Sequence, residues 1–215
     1  MHFLNKDLVF PPIVNADVQG LLAIGGDLSP QRLQLAYQSG IFPWYSEGEP
    51  ILWWSPDPRM VLFPEEIKIS KSMRQLFKKN AFTVTYNKTF ESVIRNCAQA
   101  KREGQDDTWI TEEMILAYIE LHKQGWAQSV EVWREEELVG GLYGIYLKEQ
   151  RVFCGESMFA KVSNASKYGF ISLVKKLEAE GVEIIDCQVH TNHLESLGAK
   201  EIAREVFLSY LDRNF

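Results

Sequence analysis

Three side chains in the last third of the chain, Glu156, Asp186 and Gln188, have the types and spacing to orient an amine and manage its proton. Asp186 and Gln188 lie two apart in "EIIDCQV", and the period of a strand sets them on one face about 6.5–7 Å apart. A carboxylate flanked by Ile184, Ile185 and Cys187 is placed for burial, and a buried charge costs free energy unless it is paired. Alone, such an Asp reads as structural, holding a loop through backbone hydrogen bonds. Glu156 changes that reading. It closes the strand "RVFCGE", and in a sheet where that strand neighbours "EIIDCQV" two acids meet beside a neutral amide. Such a group holds a cationic amine and turns it toward an acyl carbon. "DCQVHTNH" also gathers Asp186, Cys187, His190 and His193. Both histidines follow a strand rather than sit on a helix, and alternation turns Cys187 away from Asp186. No metal site is expected there. No serine stands in a GxSxG turn, and neither a P-loop nor a GxGxxG is present.

The elements that must position these residues follow from pattern. Residues 1–62 read as a small, turn-rich α/β module: an apolar strand at Leu21–Ile24, a Gly25-Gly26 turn, and a short helix. Ser29 is placed to cap that helix and Pro30 opens it. Leu33, Ala36 and Tyr37 mark its buried face before Gly40 ends it. Residues 63–215 alternate between helices and strands. Met73, Leu76 and Phe77 mark a helix with Lys71, Arg74 and Lys78 as a basic stripe, and "AFTVTYN" alternates as a strand. Thr89 and Thr111 are placed to cap the next two helices. "QSVEVW", "LVGGLYGIYL" and "RVFCGE" read as an antiparallel meander. A helix capped near Ser163 or Asn164 then leads to "EIIDCQV".

Composition narrows the classes. No apolar run is long enough to span a bilayer, and "MHFLNKDLVFPPIV" has neither a basic start nor a cleavage site. Three cysteines without a CxxC favour buried thiols and the cytoplasm over a disulfide framework. Net charge is −6, yet the stretch from Lys68 to Lys88 carries six basic residues and no acidic one. That patch is a candidate for phosphate contact, with a solvated helix face as the plain alternative.

From Thr83 on, the order β-α-α-β-β-β-α-β resembles the GNAT acyltransferase fold, whose fourth and fifth strands splay to admit an acyl donor. Members that use acetyl-CoA carry a glycine-rich pyrophosphate loop, and "FAKVSNASKYG" in the matching position lacks it. An aminoacyl-tRNA is a donor that fits both the basic helix and an unusual run of tryptophans, since single-stranded bases stack on aromatic rings.

"GGDLSP", "GIFPWYSEGEPILWWSPDPR", "TWI", "CGESMF", "NASK" and "IDCQVHTNHLESLGA" together closely resemble the bacterial leucyl/phenylalanyl-tRNA–protein transferases, from about Gly20 to Tyr210. The resemblance implies an α+β enzyme, a small N-terminal module followed by a GNAT-like mixed-sheet acyltransferase domain. It implies transfer of Leu or Phe, less readily Met, from tRNA to proteins beginning with Arg or Lys, marking them for N-end rule degradation. It further implies a cytoplasmic monomer that needs no cofactor, metal or membrane. By the same resemblance Trp44 and Trp109 stack the terminal adenosine, with Tyr37 and Tyr118 beside it. Leu142, Phe153, Phe170, Leu173 and Ile185 form the aminoacyl pocket; the basic stripe of Lys71, Arg74, Lys78 and Lys79 is, by its charge, the segment expected to meet the tRNA backbone. Asp186 accepts a hydrogen bond from the acceptor amine, Gln188 positions Asp186 or the acceptor, and Glu156 attracts the basic N-terminal residue. Two departures stand out. Position 173 is aromatic in better-known members, whereas here Phe170 supplies a ring one turn away. Ile185 faces opposite to Asp186 by strict alternation, so both line one site only with a bulge or a strand end.

Overall fold

Alternating segments become strands of two sheets in the computed structural model, which describes residues 2–100 and 110–212. The smaller sheet contains β1 (His2–Leu4), β2 (Leu21–Gly25), β3 (Phe42–Pro43) and β4 (Leu52–Trp54), in the order β1-β2-β4-β3. Helix α1 (Pro30–Gln38) crosses between β2 and β3, and Ser29 Oγ accepts from Arg32 N as its pattern requires. Gly40 ends α1 at φ +72°, where a Cβ would come within 2.5 Å of Leu208. Only glycine adopts this conformation cheaply while leaving room for that neighbour.

The larger sheet contains β5 (Arg59–Leu62), β6 (Thr83–Tyr86), β7 (Ala127–Arg134), β8 (Glu137–Leu147), β9 (Val152–Ala160), β10 (Ile184–Gln188) and β11 (Lys200–Ile202). Their order is β11-β5-β10-β9-β8-β7-β6. The strand β5, whose residues fall at the end of the 1–62 module expected from sequence, pairs into this sheet beside β10. Its helices are α2 (Lys71–Lys78), α3 (Phe90–Gln99), α4 (Glu112–Lys123), α5 (Ala165–Ala179), α6 (Asn192–Ser196) and α7 (Arg204–Leu211). The run β6-α3-α4-β7-β8-β9-α5-β10 is the succession expected from the sequence. All strand pairs here are antiparallel except β9 with β10, which α5 connects as a crossover. The chain is thus α+β with a mixed sheet.

Each face of the sheet has its own core. Val93, Ile94, Tyr118, Tyr143, Cys154 and Ile184 share one with Leu33, Ala36, Tyr37 and Trp53, so the smaller sheet and α1 bury against this face. Leu142, Phe153 and Ile185 share the other with Phe170, Leu173, Val174 and Leu177 of α5 and Met73 of α2.

Two details depart from the pattern. Thr89 makes no side-chain cap to α3; instead the buried Glu131 accepts its N–H at 3.4 Å. Strand β9 also does not stop at Glu156 but runs on to Ala160, so Glu156 lies within a strand rather than at its end.

Candidate active site

Strands β9 and β10 pair only through Ile184↔Val152, Ile185↔Phe153 and Asp186↔Cys154, and then part. A cavity of about 630 Å³ opens at this fork. Leu142, Phe153, Phe170 and Ile185, four of the five residues that the resemblance assigns to the aminoacyl pocket, line it. Met158, Cys187 and Ser166 join them, as do Tyr143, Phe42 and Trp44 from the opposite side of the sheet. Because the strands separate, residues from both cores reach one cavity, and Ile185 takes part without sharing a face with Asp186. Leu173 does not line it. Its side chain is 2% exposed and packs in the core under α5, one turn from the Phe170 ring that faces the cavity.

A bulge aims Glu156 at the fork. The register steps from Tyr143↔Ser157 to Gly144↔Gly155, leaving Glu156 as the extra residue of β9. Bulges commonly re-aim a side chain beside an active site. Glu156 Oε1 accepts from Gln188 Nε2 at 2.8 Å, and its Oε2 accepts from the Tyr118 hydroxyl at 3.2 Å. Tyr118 in turn shares a hydrogen bond with Tyr37. Burial pushes the Glu156 carboxyl up to about 7; the hydroxyls of Tyr37 and Tyr118 and the Gln188 amide oppose this, while the charge of Asp186 adds to it. Burial, followed by the nearby Glu156 charge, holds both phenols well above their usual range, so they stay neutral donors.

The raised Glu156 value has a consequence for stability. A folded-state value above the unfolded one favours the neutral carboxyl, so this contribution is complete below the group's ordinary value of 4.5 and is lost as pH rises through about 7. Glu156→Gln, neutral at every pH, is expected to gain stability relative to the native protein at pH 8 and to show no such gain near pH 4. Urea unfolding at the two pH values measures it; an equal difference at both would remove the raised value.

Asp186 lies outside the cavity wall, a change from its expected contact with the acceptor amine. It is 1% exposed, and Arg59 grips both of its oxygens, Nε to Oδ1 at 2.8 Å and Nη2 to Oδ2 at 2.7 Å. Asp186 Oδ1 also accepts the backbone N–H of Gln188 at 2.9 Å. Gln188 has φ +64°, an uncommon conformation for a residue with a side chain, and β10 shifts register against β5 between Asp186 and Gln188. Asp186 thereby fixes the turn from which the Gln188 amide reaches Glu156. Arg59 itself lies between the rings of Phe42 and Phe207, 4.9 and 4.7 Å from their centroids, and donates to Gly40 O at 3.2 Å. Burial opposes its charge, and Asp186 outweighs that effect. A bidentate, fully hydrogen-bonded pair meets the condition under which two charges tolerate burial.

Cys154 and Cys187 flank this pair. Burial, then the Asp186 charge, pushes both thiols far up, which leaves them without thiolate character.

The other expected site residues divide. Trp44 lines the cavity, and Trp54 supports it by donating Nε1–H to Trp44 O at 2.7 Å with the rings 6.0 Å apart. Trp53 is wholly buried and packs edge-on against Phe10. Trp109 lies outside the described residues. Tyr37 and Tyr118, assigned by resemblance to the adenosine, are buried at 2% and 0% exposure and do not line the cavity; their hydroxyls lead to Glu156 instead. Lys71, Arg74 and Lys78 on α2, and Lys79 at its C-cap, are all exposed. His190 Nε2 lies 3.1 Å from Glu195 Oε2, and Asp186 is taken by Arg59, while Cys187, His190 and His193 line the cavity.

Arg59 is the functional residue that sequence reasoning missed. The signal was there: a carboxylate in an apolar strand requires a counter-ion, and "WWSPDPRMVL" opens an apolar strand with an arginine.

Two family models match the chain. One, described as leucyl/phenylalanyl-tRNA protein transferase, covers residues 61–212, and its N-terminal domain covers residues 26–57. A protein from Flavobacterium johnsoniae named leucyl/phenylalanyl-tRNA–protein transferase is 65% identical over 98% of this chain and 99% of its own. Its namesake from Christiangramia forsetii is 62% identical over 98% of this chain and 100% of its own. Among solved structures, that of L-PGS from Bacillus licheniformis covers 80% of this chain and 54% of its own, at 12% identity and a TM-score of 0.43.

Proposed function

From the premise that this chain belongs to the leucyl/phenylalanyl-tRNA protein transferase family, we propose how its site moves an aminoacyl group. The enzyme is an aminoacyltransferase: it takes Leu or Phe, and less readily Met, from tRNA and joins it by a peptide bond to an N-terminal Arg or Lys of a protein. The product then carries an N-end rule signal for degradation. The observation that carries the mechanism is the meeting of an apolar cavity with the hydrogen-bonded Glu156–Gln188 pair at the β9–β10 fork.

The donor's side chain enters between Leu142, Phe153, Phe170 and Ile185. Its adenosine stacks on Trp44, with Trp109 as the expected second ring, and the tRNA backbone lies along Lys71, Arg74 and Lys78 of α2 and Lys79 at its C-cap. The ester carbonyl is then at the fork. Because Gln188 Nε2 is committed to Glu156, its Oε1 is left to accept from the acceptor amine and set the lone pair on the carbonyl carbon. As the C–N bond forms, the amine proton passes to the Glu156 carboxylate. The C–O bond to the ribose then breaks, and Glu156 returns the proton to the departing ribose oxygen. Asp186 and Arg59 act one step back, as positioning residues for Gln188. The ester is already activated, so alignment supplies up to about 7–11 kcal/mol of the barrier reduction.

Incubation with labelled Phe-tRNA and a peptide beginning with Arg tests the reading. Label is expected in that peptide and in a Lys-led one, but not in peptides led by Asp or Glu. Absence of transfer to the Arg-led peptide, or acetylation of it from acetyl-CoA without tRNA, would overturn the assignment.

The cavity also sets donor choice. A hydrophobic pocket discriminates by only about 1–3 kcal/mol per methylene, which suits tolerance of Leu, Phe and Met. Phe170→Ala enlarges the wall, and the kcat/KM ratio of Phe-tRNA to Leu-tRNA is expected to rise by about tenfold or more. Competition between the two charged tRNAs reads this directly; an unchanged ratio would place the donor side chain elsewhere.

A further inference from the structure

Among the described residues strand β9 has an edge that no strand pairs where it leaves β10, and hydrogen-bond phase determines which backbone groups lie on it. Lys161 N donates to Val139 O at 2.8 Å, which makes 139 and 161 a hydrogen-bonded pair across β8 and β9. Bonded and non-bonded pairs alternate along an antiparallel ladder. Through the register Gly140↔Ala160, Gly141↔Phe159 and Leu142↔Met158, Phe159 therefore turns its N–H and C=O toward β8. Met158 and Ala160 turn theirs to the opposite edge. On that edge β10 matches only Val152, Phe153 and Cys154, and no other described strand pairs there.

A free edge of this kind is a template for an extended chain. Its occupant follows from where it begins. Gly155, Glu156 and Met158 line the same cavity as Gln188, so the edge starts at the reacting carbonyl and leads away from it. The Met158 side chain already belongs to the donor's cavity, which leaves its backbone to the other substrate. Only the acceptor continues as a polypeptide past the site of bond formation. With its amine at Glu156 and its chain directed toward Ala160, the acceptor runs parallel to β9, as β10 does up to Asp186. The carboxylate of Glu156 stands at the end where the basic N-terminus must lie.

Resting on the aminoacyl-transfer reading above, we infer that residues 156–160 of β9 bind the acceptor polypeptide by backbone pairing, as an added parallel strand in the place that β10 leaves. The enzyme then reads an extended N-terminal segment largely without regard to the side chains after the first residue. In a parallel ladder only every second residue of the added strand turns its N–H toward β9.

Amide-to-ester replacement in the acceptor tests this, since an ester removes one N–H with little change of shape. Arg-led peptides carrying a single ester at residue 2, 3 or 4 are compared with the all-amide parent in transfer from Phe-tRNA. Loss of one hydrogen bond is expected to lower acceptor kcat/KM about fivefold at alternate positions and to leave the intervening position unchanged. Full activity of all three esters, or equal loss at all three, would overturn the inference. Failure of the all-amide parent to accept Phe would instead overturn the aminoacyl-transfer reading, so the two failures are distinct.

Discussion

Glu156→Gln is expected to slow single-turnover aminoacyl transfer by about 10²–10⁴-fold, the range over which a positioned general base acts, with tRNA affinity unchanged. The substitution keeps the size of the side chain and its ability to meet Tyr118 and Gln188. What it removes is the carboxylate that receives the amine proton. The local chemistry makes this group suitable. Burial raises the carboxyl to about 7, close to the working pH of a base, while three neutral donors keep it from being wholly protonated there. Asp186, the stronger candidate by sequence, is unsuited to the same task because it lies outside the cavity wall and its charge is paired with Arg59. Retention of the native rate in Glu156→Gln would place the proton elsewhere.

Arg59→Met is expected to cost about 3–5 kcal/mol of folding stability, because it leaves Asp186 buried and uncompensated. Thermal or urea unfolding measures the loss. On its own the result would not separate a positioning role from a structural one. The double variant Arg59→Met/Asp186→Leu does, since replacing a buried ion pair with apolar groups is often neutral for stability. The double variant is expected to recover most of the stability yet remain slow in kcat, with KM for tRNA unchanged. Gln188 N–H has lost its acceptor, and the left-handed turn that aims the amide at Glu156 is no longer held. A double variant with native kcat would reduce the Arg59–Asp186 pair to a packing element.

Much of this arrangement was legible in the chain itself, because much of it is local. Ser29 and Pro30 specify the start of α1, and the β6-to-β10 succession follows from period and turns. Glu156, Gln188, Trp44, Leu142, Phe153, Phe170 and Ile185 all reach the cavity. What escaped is set by tertiary packing. Alternation gives no hint that β9 carries an extra residue at Glu156, and the bulge is what flips Met158 to the side of Leu142. Leu173 shares a helix face with Phe170, yet only the latter meets the cavity, since the choice depends on where the fork opens. Arg59 and Asp186 are 127 residues apart, so their pairing could be inferred from the demand of a buried charge but not from spacing.

The central claim is that the Glu156 carboxylate receives the proton of the acceptor amine, and the pH dependence of single-turnover transfer from Phe-tRNA to an Arg-led peptide tests it most directly. In the native enzyme the rate is expected to rise with pH through about 7 as Glu156 loses its proton and becomes a base. In Glu156→Gln this limb should vanish, leaving a slow reaction that follows only the acceptor's own α-amine, near about 7.7–8.0. The same rate and the same limb near 7 in the two proteins would contradict the account.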